Sequence, residues 1–316
     1  MPKRALGTWI KTWEGTTPTS EVEYTANIGL VDEVLVMNGG AIQPDGSIVQ
    51  DPVRTDNAFA QELKSQATAH NQRYSVALHA GGGVSTTEAI LGDPALRQAL
   101  ADNLVTLATT RFDAPWDGVN LEMGYPSVDY YDQWRELVLL LSYELRRAGV
   151  LLSFYFRYLP GLHAYEPALM RQVADWVEYS TYFGFPSQLY YVVKEQLIRY
   201  VQGYSAQDLS AALGNFSQLW RADDSKQNLN YAAAMQIVQG AGVAPEWIES
   251  YGDHLYRCKY AALPNGDRLY IYDADTMRVR LKLLDDIGIY HASLFLPGQG
   301  DPREWDVLAD WKAGDL

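Results

Sequence analysis

Eight short runs of apolar, strand-forming residues recur along this chain of 316 residues, with longer amphipathic stretches between them. The runs cover residues 6–10, 33–37, 74–79, 118–123, 150–156, 176–182, 209–216 and 290–296. Continuous apolar strands that alternate with helical patterns are typical of a parallel sheet covered by helices. Eight such units in a chain of this length predict an α/β fold, the (β/α)8 TIM barrel.

The alternation is interrupted between the seventh and eighth strands. Residues 229–240 predict a helix, and residues 254–261 and 268–272 predict a hairpin. The hairpin is centred on the turn sequence Pro264-Asn265-Gly266-Asp267. We therefore expect one domain over residues 1–316, with an inserted α+β lobe at about residues 228–272.

The composition argues against several kinds of partner. Lys and Arg number 25 against 39 Asp and Glu, which gives a formal net charge of −14. So acidic a chain repels phosphate backbones and anionic lipids, and we expect neither a nucleic-acid nor a membrane partner. Cys258 is the single cysteine, and the five histidines lack metal-site spacing. No disulfide, metal site or cofactor is predicted.

The N-terminal residues 1–10 are basic but are not followed by an apolar run of signal-peptide length. No segment approaches the length of a membrane span. The expectation is therefore a protein that acts in the cytoplasm, or one that is released or assembled into a particle without classical secretion.

Residues 117–126 contain the most specific motif of the chain. They read Asp-Gly-Val-Asn-Leu-Glu-Met-Gly-Tyr-Pro. This stretch resembles the fourth-strand signature of glycoside hydrolase family 18, the chitinase-like barrels, which reads D-G-x-D-x-D-x-E-Y-P. Asp117 and Tyr125-Pro126 match its two ends. Asn120 and Glu122 stand at its second and third aspartates, and Gly124 stands at its proton-donating glutamate.

Further segments extend this resemblance in the same order along the chain. Residues 79–82 resemble the third-strand motif S-x-G-G, with His79 for Ser. Residues 174–183 resemble the sixth-strand pattern that ends M-T-Y-D, and residues 287–295 resemble the eighth strand. The pattern is closest to the short bacterial branch that includes spore-cortex and germination N-acetylglucosaminidases.

The resemblance implies a degenerate catalytic site. In family 18 the acetamido oxygen of the substrate attacks the anomeric carbon while a glutamate protonates the leaving oxygen. Gly124 cannot transfer a proton, and Asn120 cannot share charge as an aspartate does. Phe183 replaces the sixth-strand aspartate and Phe295 replaces the eighth-strand tryptophan, whereas Tyr182 is retained.

Two carboxyl groups keep an enzymatic interpretation open. Residues 120, 122 and 124 share one face of a strand, so Glu122 is expected to point into the barrel. By the same parity Glu178 shares a face with Ser180 and Tyr182. Two inward carboxyl groups could share a proton, but a buried carboxyl with a structural role is the alternative for each. His79 is likewise either a structural histidine at the barrel mouth or a catalytic one.

Three functions are compatible with these observations. The first is a pseudoenzyme, a non-hydrolytic barrel that binds a glycan of the N-acetylglucosamine type or a protein partner. The second is an active glycoside hydrolase that uses Glu122 as acid or base, with Tyr182. The third is a structural protein of a cell wall or virion that uses the fold as a scaffold. The expected ligand contacts are Asp117, Asn120, Glu122, Tyr125, Tyr182, Trp220 and Phe295.

Overall fold

The computed structural model describes residues 3–12, 17–50, 57–156, 166–181, 203–204, 208–251 and 254–316. In chain order the described strands are Ala5–Lys11 (β1), Glu33–Ile42 (β2), Ile48–Val49 (β3), Arg73–Ala80 (β4), Gly118–Glu122 (β5), Leu151–Phe156 (β6), Trp176–Ser180 (β7), Leu209–Gly214 (β8), Ser217–Trp220 (β9), Lys226–Leu229 (β10), Glu246–Tyr251 (β11), His254–Ala262 (β12), Arg268–Ile271 (β13) and His291–Phe295 (β14). The described α-helices are Thr17–Ala26 (α1), Asn57–Ala69 (α2), Val84–Gly92 (α3), Pro94–Thr110 (α4), Tyr131–Arg147 (α5), Pro167–Val173 (α6), Tyr231–Ala241 (α7), Ala274–Ile287 (α8) and Glu304–Ala313 (α9). None of these helices is long and apolar enough to cross a bilayer.

Eight of the strands form a closed parallel barrel. Their order is β1-β14-β8-β7-β6-β5-β4-β2, and β2 pairs with β1 to complete the ring. Each of the eight predicted apolar runs corresponds to one barrel strand. The predicted (β/α)8 TIM-barrel fold is therefore confirmed.

Alternate residues of each barrel strand face two different environments. On β5, Val119 and Leu121 belong to the main apolar core, which also contains Trp134 and Leu137 of α5. Asn120, between them, is fully buried on the opposite face, inside the barrel. Apolar burial against the helices thus stabilises the barrel from outside, at roughly 25 cal/mol per Å².

The barrel interior, in contrast, contains many polar side chains. Serines project inward from several strands, and the carboxyl groups of Glu33 and Glu178 are fully buried. The hydroxyl of Ser75 donates to Glu33, and Arg73 forms an ion pair with the same carboxylate at 3.1 Å. An apolar group containing Trp9, Leu35 and Tyr155 lies in the same interior.

A second, antiparallel sheet lies between β8 and β14 in the chain. Its order is β10-β9-β13-β12-β11, and α7 packs on it through Ala234 and Val238. This sheet begins at Ser217, earlier than the lobe start expected near residue 228, because β9 pairs with β13. Its hairpin β12–β13 surrounds the turn at residues 264–267 that the sequence indicates.

Asp273 joins the lobe to the barrel, because it caps α8 and binds a strand of the lobe. Its Oδ1 accepts hydrogen bonds from the backbone N–H and the hydroxyl of Thr276, both at 3.0 Å. Its Oδ2 lies 2.5 Å from Nζ of Lys259 on β12. The carboxylate itself is buried.

Replacing Asp273 with alanine is expected to lower the free energy of unfolding by about 1–3 kcal/mol, since a helix cap and a buried charge partner are both lost. Urea unfolding measures the change. Asp275→Ala, at the exposed neighbouring carboxylate, is the control and should change stability by less than about 0.5 kcal/mol. Equal effects of the two substitutions would contradict the assigned role of Asp273.

Candidate functional site

A cleft opens at the C-terminal ends of β4, β5 and β6. Its volume is about 370 Å³, within the range of about 300–1,000 Å³ that is typical of small-ligand pockets. The C-terminal face of the strands is also where TIM barrels carry their sites. The lining residues are His79, Ala80, Gly81, Gly83, Val84, Glu122, Met123, Gly124, Tyr125 and Tyr155.

Two side chains with acid–base chemistry lie next to each other in this cleft. His79 on β4 and Glu122 on β5 are register partners in the parallel ladder. Neighbouring strands are roughly 4.8 Å apart, so the two side chains emerge side by side at the mouth. His79 is exposed, and Glu122 is half-buried. An imidazole beside a carboxyl group can bind a polar ligand or exchange a proton with it.

Gly124 lies in the same cleft, but its position cannot hold a side chain as the surroundings stand. A Cβ atom built on Gly124 would be 2.3 Å from the backbone carbon of Gly83 and 2.3 Å from the backbone nitrogen of Val84. Real Cβ atoms essentially never approach other heavy atoms so closely. The space in which a residue 124 side chain would begin is therefore filled by the backbone between β4 and α3.

The backbone that closes this space is held at several points. Gly81 N–H donates to the carbonyl of Ile42 at 2.9 Å, and Gly82 N–H donates to Oγ1 of Thr86 at 2.9 Å. The hydroxyl of Thr87 donates to the carbonyl of Gly83 at 3.1 Å. Gly83 itself has φ of +61°, a conformation that glycine adopts without strain. The loop is thus a fixed wall of the cleft.

Asn120 is placed below the cleft, inside the barrel. It is fully buried, and its Nδ2 donates to the hydroxyl of Ser153 on β6 at 2.9 Å. The residue shares the inward face with Glu122, as the strand period predicts. However, its Nδ2 contacts the neighbouring strand β6, and the residue is not part of the cleft lining.

Asp117 is not brought together with the cleft residues. It precedes β5 at the opposite end of the barrel, about 16 Å along the strand from Glu122 at ~3.3 Å per residue. Its Oδ2 accepts the backbone N–H of Tyr74 at 2.8 Å and binds Nζ of Lys64 at 3.1 Å. Asp32 and Asp175 accept backbone N–H groups near the starts of β1 and β6 in the same way. The expected ligand contact at Asp117 is corrected to a structural role at the start of a strand.

Glu178 is fully buried inside the barrel, as its parity predicts. Burial raises the pKa of this carboxyl to about 8, and the nearby Glu33 carboxyl acts in the same direction. Hydrogen bonds from Ser293 and from Nε1 of Trp9, the latter at 3.2 Å, oppose the rise. The carboxyl group is therefore mainly protonated near neutral pH. Trp9 also contacts the ring of Tyr155, a cleft residue, at 5.3 Å between centroids.

The aromatic residues expected at the site are distributed over three places. Tyr125 lines the cleft. Phe295 packs on Trp9 within the barrel, with ring centroids 6.3 Å apart. Trp220 belongs to the lobe sheet and is buried between Lys226 and Arg268, whose charged groups lie 4.5 and 5.5 Å from its ring centroid. Trp220 is thus a packing residue of the lobe rather than a cleft residue. Tyr182 and Phe183 lie outside the described residues.

Tyr155 and the wall at residues 83–84 complete the cleft without having been expected there. The alternation of Ser153 and Tyr155 with apolar neighbours on β6 indicates that Tyr155 faces inward, so the sequence carried a signal for it. No comparable signal exists for the wall, because it depends on how a loop folds over a neighbouring strand.

Solved structures with this architecture are numerous and include spore-cortex enzymes and chitinases. The spore cortex-lytic enzyme SleL of Bacillus megaterium QM B1551 superposes with a TM-score of 0.82 at 15% identity, over 98% of this chain and 74% of that chain. A class V chitinase of Pseudomonas fluorescens Pf-5 gives 0.81 at 15% identity, over 98% and 99% of the two chains. A chitinase of Chromobacterium violaceum ATCC 12472 gives 0.80 at 14% identity, with the same coverage.

This chain has the chitinase-like barrel fold. The resemblance predicted from residues 117–126 is thereby confirmed at the level of the fold. No protein-family model matches the sequence, and no curated protein matches it by sequence. Within a chitinase-like barrel the cleft described above occupies the usual face for a ligand, while its residues are this chain's own.

Proposed function

We propose that this chitinase-like barrel binds a glycan of the N-acetylglucosamine type in the cleft and does not hydrolyse it. The proposal rests mainly on the surroundings of Gly124. A Cβ atom added at this residue would lie only 2.3 Å from the backbone atoms of Gly83 and Val84. A glycosidase of the resembled type needs a proton donor at this position. Here the position lacks a side chain and also lacks the space for one.

The remaining cleft suits recognition. Tyr125 supplies ring surface on which the C–H faces of a sugar can pack, and His79 and Glu122 supply polar groups for its hydroxyls. Asn120 is buried below the cleft and does not line it, so the cleft lining lacks an inward amide that could orient a reacting acetamido group. These features favour binding without turnover.

Titration with N-acetylglucosamine oligomers, combined with product analysis on the same samples, tests the proposal. We expect saturable binding and no shortened oligomers, since positioned proton transfer normally contributes about 10²–10⁴-fold to the rate. Tyr125→Leu should weaken binding about fivefold, from the loss of about 1 kcal/mol of ring contact. Tyr143→Leu, at an exposed tyrosine of α5, is the matched control and should bind like the natural chain.

A second candidate is an active glycoside hydrolase that uses Glu122. The adjacency of Glu122 and His79 in one cleft favours it, because the pair could transfer protons between them. Turnover that is abolished by Glu122→Gln, with binding retained, would establish this function in place of the first.

A further inference from the structure

We infer that the cleft selects amino sugars with a free amine, such as glucosamine oligomers, over the N-acetylated form of the same sugars. The inference rests on the proposed function, because it specifies the glycan that this cleft takes. It follows from the carboxyl group that lines the cleft and from the absence of side-chain donors at two nearby positions of β5 and the segment after it.

Glu122 and His79 are the acid–base side chains among the described residues that line the cleft, and neither a lysine nor an arginine lines it. A further carboxylate lies on α3, the helix that follows the wall of the cleft, where Glu88 accepts the backbone N–H of Ser127 at 3.0 Å. The whole chain carries a formal charge of −14. Such surroundings attract a cationic ligand.

The two forms of the sugar offer different groups to Glu122. A protonated amine presents three N–H donors and a positive charge to the carboxyl group, and charge-assisted hydrogen bonds are about twice as strong as neutral ones. An acetamido group presents one N–H donor without charge, and its carbonyl must also be removed from water. The carboxyl group therefore favours the free amine.

The structure also limits which side chains could donate a hydrogen bond to the carbonyl oxygen of a bound acetamido group. The wall at Gly83 and Val84 occupies the space beside Gly124, so no side chain reaches in from that position. The amide of Asn120 is fully buried and donates to Ser153. Positions 120 and 124 thus provide no side-chain donor to an acetamido oxygen in the cleft.

The test compares tetramers of glucosamine and of N-acetylglucosamine by calorimetric titration of the full chain, at about pH 6, where a free amine is protonated. We expect the glucosamine tetramer to bind at least about tenfold more tightly at low salt, and the ratio to fall as salt is added, since salt screens exposed charges. Glu122→Gln should reduce the ratio to about one. Glu62→Gln, which removes an exposed carboxylate on α2, is the control and should leave the ratio unchanged.

The possible results separate this inference from the function on which it rests. If the acetylated tetramer binds as tightly as the free-amine tetramer, the inference is overturned and glycan binding stands. If neither tetramer binds, both are overturned. If the preference survives Glu122→Gln in a variant whose thermal unfolding matches that of the natural chain, the assignment to Glu122 is overturned.

Discussion

Replacing Gly124 with alanine is expected to lower the free energy of unfolding by about 1–3 kcal/mol, the usual cost of overpacking. The new Cβ would lie 2.3 Å from two backbone atoms of Gly83 and Val84. A side chain could rotate away from such a contact, but backbone held by hydrogen bonds at Gly82 and Thr87 can only move as a loop. Urea denaturation of both forms measures the difference.

Gly240→Ala is the matched control for this substitution. Gly240 lies in the exposed part of α7, and a Cβ there would meet nothing within 4 Å. The same chemical change should therefore stabilise the protein by about 0.5–1 kcal/mol, because alanine favours a helix over glycine. The free energy of unfolding is therefore expected to fall for Gly124→Ala and to rise for Gly240→Ala.

Gly124→Glu extends the prediction to activity. It should destabilise the protein at least as much as alanine does and should not create hydrolysis of N-acetylglucosamine oligomers, because the backbone of Gly83 and Val84 occupies the space in which the new side chain would begin. Measurable turnover by this variant would show that the wall at residues 83–84 moves aside, and the steric account of the cleft would then be wrong.

The second large effect is expected at Glu178 and depends on pH. The pKa of the carboxyl is about 8 in the folded chain, against an ordinary value of 4.5. Between these values the folded state holds a proton that the unfolded state has released, so stability falls as pH rises. The contribution declines by about 1.4 kcal/mol per pH unit within the window and is constant below and above it.

Glu178→Gln should remove this dependence, because glutamine keeps a carbonyl oxygen for Trp9 and Ser293 and does not ionise. Relative to the natural chain, the variant should gain stability steadily from about pH 5 to about pH 8. Unfolding curves at several pH values provide the measurement. The difference isolates Glu178 from other buried groups that titrate, such as Glu33 and Glu304. A difference that does not vary with pH would contradict the assignment.

The barrel could be predicted from the sequence because each of its strands is apolar enough to be recognised alone. Burial on the outer face requires apolar residues at every second position, and this outward set alone makes each run recognisable although many inward positions are polar. The lobe was predicted less completely. Its helix and the hairpin β12–β13 carry strong local signals, whereas β9 follows β8 after only Asn215 and Phe216, so residues 209–220 give no sign of leaving the barrel.

Of the candidate site, too, one part could be predicted from the sequence and another part could not. Period-two geometry is a local property, and it was sufficient to place Asn120 and Glu122 on one face. Whether a residue on that face reaches a ligand depends on neighbours that are distant in sequence. Ser153 holds Asn120, and Lys64 together with Tyr74 holds Asp117 at the other end of the strand.

The sequence by itself determined the closed parallel barrel and the absence of a proton-donating side chain at position 124, since both follow from residue types along single strands. The tertiary structure alone decided that Gly83 and Val84 fill the space beside Gly124, and that His79, Glu122 and Tyr155 line one cleft. The physical reason is that strand patterns are set by local periodicity. The approach of a loop to a neighbouring strand is set by the closure of the whole barrel.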